Sequence, residues 1–186
     1  YQQQGKNEEA LSAYDDAIAN NPTDVNLLLN KANLYYQMGN VDQFKTLMNK
    51  ASNMAPDNPD LQYNIGVIAM EQGNMEEARE AYSRALEIDP TYVNAGLNLS
   101  TSYINEGNSF IDEMNELALS SKKADFDKYD ELKAKKDELF KQGAEILENM
   151  LRDVPENEQV LTQLKNIYGA LGDNENFMRI RTLLEQ

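Results

Sequence analysis

The chain has 186 residues, with 17 basic against 32 acidic side chains, a net charge of −15 at pH 7, and neither cysteine nor histidine. That composition excludes disulfides, thiolate nucleophiles, zinc sites built on Cys or His, and a histidine general base. The acidity opposes nucleic acid and anionic membrane surfaces as partners, and no run approaches the roughly 18 apolar residues of a membrane-inserting helix.

Glycine and proline set a frame along the chain. Gly5, Gly39, Gly73 and Gly107 are each 34 residues apart, and so are Pro22, Pro56 and Pro90. A period of 34 is that of a stacked helix–turn–helix repeat. Pro155 and Gly172 lie 65 residues beyond Pro90 and Gly107, so the frame resumes after an insertion of 31. Each Gly is expected between a first and a second helix, where the left-handed conformation is cheap for it. Each Pro is expected just past a second helix.

In chain order the frame predicts a partial repeat over 1–24 with a helix at 7–20, and a repeat over 25–58 with helices at 25–38 and 41–54. A third covers 59–92, with helices at 59–72 and 75–88. A lone helix at 7–20 would leave Leu11, Tyr14 and Ile18 without a full partner, which predicts that the natural protein continues upstream of Tyr1. Small residues are expected where helices cross closely, Ala32, Gly66 and Ser100 on first helices and Ala10 and Ala78 on second ones.

The fourth repeat, 93–157, holds the insertion. Its apolar spacing stays helical through Phe110, Met114 and Leu117, and again through Phe126, Leu132, Leu139 and Leu147. The pattern predicts elongated helices at 93–119 and 126–153, broken near Ser120 and Ser121 and capped by Asp125 or Asp127. Such arms project about 20 Å beyond their neighbours. The alternative is a break at Gly107-Asn108-Ser109, with Ser109 capping a separate helix. From Lys122 to Lys141 there are seven Lys and six acids. Lys133, Lys135 and Lys136 either dock an acidic surface or pair along a solvated helix face. A capping repeat, 158–186, ends the chain.

The stretch Gly73 to Pro90 near-copies Gly5 to Pro22. With Asn64-Ile65-Gly66, Ala78, Tyr82, Ala85, Leu99 to Tyr103, and Ala170-Leu171-Gly172-Asp173, it resembles the tetratricopeptide repeat family. The elongated hairpin before a final Leu-Gly-Asp repeat is similar to Bacteroidetes-type members. The resemblance implies an all-α, right-handed superhelical solenoid of antiparallel helix pairs. It also implies that first helices line a concave, peptide-binding face. Leu28, Gln62, Gly96 and Leu161 stand where the family has Trp. Phe44 and Phe177 replace a small Ala, and Lys165 and Arg181 suit the polar outer face of a cap.

Asp125-Phe-Asp127-Lys-Tyr-Asp130 lacks the third ligand position and the Gly of a calcium loop. Glu8-Glu9 and Glu76-Glu77 are adjacent acids at helix starts, suited to the helix dipole rather than to catalysis. No phosphate-binding or nucleophile-elbow motif occurs. The chain therefore reads as a non-catalytic scaffold with no cofactor and no metal. Carried over from the family frame, its peptide-contacting candidates are Asn26, Leu29, Asn33, Tyr36 and Gln37, then Tyr63, Val67 and Met70 flanked by Asp60 and Glu71. On the later first helices they are Asn94, Leu97, Thr101, Ile104 and Asn105, then Gln159, Thr162, Asn166 and Gly169. Asn and Gln can hydrogen-bond a peptide backbone, and Tyr36, Tyr63, Leu29, Leu97 and Met70 offer sockets. No Lys or Arg is in the set, so burying an acidic C-terminus there would leave it unpaired. The expected partner is a protein or peptide, neutral or mildly basic. Homodimerisation through residues 108–141 is the structural alternative. Family resemblance to exported bacterial proteins points to the periplasm.

Overall fold

The computed structural model describes residues 2–185, and within them there are ten helices and no strand. They are α1 (Gln2–Asn20), α2 (Val25–Gln37), α3 (Val41–Met54), α4 (Pro59–Glu71), α5 (Met75–Ile88), α6 (Val93–Asn108), α7 (Ile111–Ala118), α8 (Lys123–Met150), α9 (Glu158–Leu171) and α10 (Asn174–Leu184). Tyr1, where the partial first repeat was expected to begin, lies outside the described residues. The chain divides into two compact units, Tyr1–Ile65 and Gly66–Gln186.

One turn motif recurs three times. Gly39, Gly73 and Gly172 have φ of 77°, 78° and 72°. At each, the following residue's N–H reaches back five residues: Asn40 to the Tyr35 carbonyl, Asn74 to Ala69, Asp173 to Tyr168, at 2.8, 2.9 and 3.0 Å. The glycine N–H bonds three residues back, to Tyr36, Met70 and Gly169. This is the Schellman closure, which satisfies helix-end carbonyls and requires a left-handed residue. It explains the Gly-Asn/Asp pairs, because the same Asn or Asp then starts the next helix. Pro22, Pro56 and Pro90 follow the ends of α1, α3 and α5, as expected.

Gly5 and Gly107 depart from the frame. Gly5 lies inside α1, which begins at Gln2 instead of residue 7, and nothing stands within 4 Å of the place its Cβ would occupy. Gly107 lies inside α6 against the Phe140 ring. The expected continuous helix over 93–119 is broken at Ser109 and Phe110, close to the alternative break. Ser109 does not cap α7, however. Its hydroxyl donates to the Glu106 carbonyl at 2.6 Å and so closes α6. Both break residues keep right-handed helical angles, so one turn tightens without reversing the chain. α8 starts at Lys123 rather than 126, and neither Asp125 nor Asp127 is its N-cap. Lys122 holds that position, while Ser120 donates to the Asp125 carboxylate from the preceding connection.

In the first unit, α2 buries Leu28 and Ala32 and α3 buries Phe44, Met48 and Ala51. The ammonium of Lys31, buried on α2, is answered by Asp15 of α1. Gln62, in one of the Trp slots, donates to Ser52 at 2.5 Å.

In the second unit, close helix contact is bought with missing side chains. A Cβ on Gly66 would stand 2.6 Å from the ring of fully buried Tyr82. Along α6, Gly96 faces Met150, Ser100 faces Gly143, and Gly107 faces Phe140. These partners run antiparallel down α8. The empty Trp slot at Gly96 is thus filled by Met150, at the end of α8. Phe140, Leu147 and Met150 of α8 then join Val160, Leu164 and Ile167 of α9 and Ile180 of α10 in one buried cluster. α8 extends for 28 residues against 14 in α5.

Candidate groove on the first helices

Helical spacing gives each first helix two faces. On α2, Leu28 and Ala32 are buried, whereas Asn26, Asn33 and Gln37 are exposed and Leu29 and Tyr36 half-buried. The Tyr36 ring packs on Phe44, with centroids 5.6 Å apart. Tyr63 of α4 is half-buried. In the second unit, Val67 and Met70 of α4 are half-buried, and Met70 sulfur lies 4.0 Å from the Tyr82 hydroxyl. On α6, Asn94 and Asn105 are exposed and Leu97 and Thr101 half-buried. Asn166 of α9 is exposed. None of these thirteen residues is buried, so each can meet a ligand or solvent.

A pocket of about 860 Å³ gathers only part of this set, within the second unit. From α6 come Thr101, Ile104 and Asn108. From α9 come Gln159, Thr162, Gln163, Asn166 and Ile167. Thr101, Ile104, Gln159, Thr162 and Asn166 were all legible from the frame. Ile111 of α7 and Lys136 and Phe140 of α8 were not, because the insertion has no counterpart in the repeat. Leu97, Asn94 and Asn105 do not line this pocket.

The apolar lining is Ile104, Ile111, Phe140 and Ile167, with Ala170 at one end. Around it the side chains of Asn108, Gln159, Thr162 and Asn166 make no hydrogen bond among the described residues. Gln163 behaves differently. Its amide nitrogen donates to the Leu97 carbonyl and to the Ser100 and Thr101 hydroxyls at 3.4, 3.2 and 3.1 Å, stitching α9 to α6. Lys136 is nearly covered, its ammonium 4.7 Å from the Phe140 ring centroid and 3.2 Å from the Asp137 carboxylate. Burial of Asp137 opposes its charge, but hydrogen bonds from Lys133 and Lys136 outweigh it and hold the carboxyl below its ordinary range.

Of the two readings of the arm lysines, the structure shows pairing along the arm. Lys133 and Lys136 share Asp137, and Lys135 pairs with Glu131. The Lys135–Glu131 pair is exposed, where such pairs contribute little. Among the described residues no cluster of potential metal ligands occurs, and no helix is long and apolar enough to cross a membrane.

Tetratricopeptide repeat models match residues 1–67 and 59–92. The chain belongs to the tetratricopeptide repeat family. The crystal structure of MamA is similar in fold over 98% of this chain and 89% of that one, at 15% identity and a TM-score of 0.61. YrrB, a tetratricopeptide repeat protein with an unusual peptide-binding site, is similar over 98% of this chain and 78% of its own, at 15% identity and a TM-score of 0.57. A tetratricopeptide repeat protein from Parabacteroides merdae matches 96% of this chain and 58% of its own, at 18% identity and a TM-score of 0.53. No curated protein matches the chain in sequence. The repeat fold is that of a protein–protein interaction scaffold, and proteins of this family are generally non-catalytic.

Proposed function

We propose that the chain is a non-catalytic scaffold that binds an extended peptide segment of a partner protein on the exposed faces of its first helices. The anchor is the pocket between α6 and α9. The observation that carries this reading is the composition of that pocket: an apolar floor ringed by four amide or hydroxyl side chains with no partner of their own. Apolar sockets with a few polar groups are what small, oriented ligands use, and Asn and Gln match a peptide backbone whatever its sequence. The peptide-binding site of YrrB, a protein of the same fold, is in keeping with it. The amides and Tyr36 on α2, with Tyr63 on α4, offer similar chemistry in the first unit.

Selection of a displayed random-peptide library on the immobilised full chain tests the reading. Binders should lose about ten-fold or more in affinity on Thr162→Arg, since 1.4 kcal/mol already gives ten-fold and the new side chain would fill the pocket. Thr162 is exposed, so the change leaves the fold intact. Binders indifferent to Thr162→Arg would place the site elsewhere, and a parallel Tyr36→Ala plus Tyr63→Ala variant asks the same of the first unit.

A second reading, dimerisation through residues 108–141, is favoured by Leu119 and Phe126, which are 90% and 49% exposed around the α7–α8 connection. Light scattering of the chain with Leu119→Ser and Phe126→Ser decides it: a dimer that dissociates supports the reading, and a monomer before and after ends it.

A further inference from the structure

The insertion is the part of the chain to which the repeat frame assigns no role, and it builds one wall of the α6–α9 pocket. Gly107 seats that wall. A Cβ there would stand 2.9 Å from the Phe140 ring and 3.4 Å from Cγ of Lys136, so ring and aliphatic stem lie directly on the α6 backbone. Phe140 is only 4% exposed, and the Lys136 ammonium rests near its face. Socket depth and charge position are therefore both held by packing.

The charge balance on this wall is uneven. One carboxylate, Asp137, serves two ammonium groups, Lys133 at 2.6 Å and Lys136 at 3.2 Å. The trio itself carries one more positive than negative charge, with Asp130 also acting on Lys133, and Lys136 is the member that lines the pocket. The other charged lining residue, Glu158, is exposed in the first turn of α9, where the helix dipole already favours a carboxylate. A partly desolvated cation with half a counter-ion favours an anionic group brought by a ligand. Gln163 adds direction. Its amide nitrogen is committed to α6, and its carbonyl oxygen is the acceptor it offers to an occupant.

We propose that the inserted arm sets the sequence preference of this pocket, selecting a peptide segment that carries a large aliphatic or aromatic side chain beside an Asp or Glu. The apolar side chain fills the socket of Ile104, Ile111, Phe140 and Ile167, the carboxylate meets Lys136, and a backbone N–H donates to Gln163. This inference rests on the peptide-binding reading above and adds the chemistry of the partner. It replaces the neutral or mildly basic preference drawn from the frame, because the frame does not contain Lys136.

The test runs displayed random-peptide selections in parallel on the full wild-type chain, Lys136→Gln and Ile111→Ala. Ile111 is 38% exposed and Gln keeps much of the lysine stem, so both variants should retain the wild-type thermal transition by circular dichroism. The wild type should enrich a large apolar residue next to an acid. Lys136→Gln should lose the acid and keep the apolar residue, with acid-bearing peptides weakened about ten-fold, the scale of one charge-assisted contact. Ile111→Ala should relax the apolar size preference. Identical motifs from all three proteins, or enrichment of basic residues by the wild type, would overturn the inference. If those peptides were still lost on Thr162→Arg, peptide binding would stand without it. A wild type that enriches nothing would remove both.

Discussion

Gly73 and Gly107 occupy the same place in the 34-residue frame and do different work. Gly73 ends α4 with φ of 78° in open space, so its lack of a side chain serves the backbone. Gly107 stays in helical conformation within α6, and its missing Cβ serves the Phe140 ring of α8. Gly5, the third position in register, serves neither end: it is helical and exposed in α1. One residue type thus answers a torsional need, a steric need, or no need, and substitution separates the three.

The largest effect is expected at Gly107. Gly107→Leu drives a side chain into the Phe140 ring and should destabilise the chain by about 2–3 kcal/mol, the cost of overpacking, read by urea unfolding. Combined with Phe140→Ala, the loss should be smaller than the sum of the two single losses, whereas two additive penalties would show that the contact is not the cause. At Gly73 the expected loss is about 1–2 kcal/mol for Ala, from left-handed strain, and smaller for Asn, which tolerates that region. No neighbouring truncation should rescue it.

The turn at Gly172 carries support of both kinds. Tyr168, whose carbonyl closes the turn, also donates its hydroxyl to Glu148 of α8 at 2.7 Å, and Arg179 of α10 pairs with the same carboxylate. Burial, and then the bond to Glu148, push the Tyr168 hydroxyl well above its ordinary range. Its contribution is therefore present below the unfolded tyrosine range, about pH 10, and is lost as pH rises beyond it. Tyr168→Phe should cost about 1 kcal/mol at neutral pH and flatten the alkaline fall in melting temperature. An unchanged alkaline limb would mean that Tyr168 is not its source.

Capping gives the finer contrast. Asp173 accepts from the Asn176 N–H at 3.1 Å, whereas Asn74, at the matching start of α5, makes no such bond. Asp173→Ala should lower the melting temperature, and Asn74→Ala should leave it nearly unchanged. Hydrogen bonds from the Asn176 side chain and then its backbone hold the Asp173 carboxyl low. The Asp173 effect should therefore vanish as pH falls through that depressed value. The smallest change is favourable: Gly5→Ala should raise stability by about 0.5–1 kcal/mol, the entropic gain of Ala over Gly within a helix, measured by thermal melting.

Much of the fold was legible because its signals are local. The turns at Gly39 and Gly73, the prolines after α1, α3 and α5, and the crossings at Ala32, Gly66 and Ser100 each depend on a few residues of backbone torsion or one period of burial. The break at Ser109–Phe110 was less legible, since apolar steps of three and four run unbroken across a turn that merely tightens. For the candidate site, the frame reached Thr101 and Asn166 but not Lys136 or Phe140, which no repeat position predicts. The signal for those two was Gly107 itself, a frame glycine followed by continued helical periodicity, which marks a close packing partner instead of a turn.

By itself the sequence determined the repeat, its period, and the turns at Gly39, Gly73 and Gly172. These follow from torsional preference and burial, which act within a few residues. Only the tertiary structure decided that α8 lies against α6 through Gly96, Gly143 and Gly107, and that this contact turns one stretch of exposed face into a walled pocket bearing a cation. That outcome depends on residues 33 to 54 positions apart meeting at van der Waals distance, and steric fit between distant segments leaves no period in a sequence.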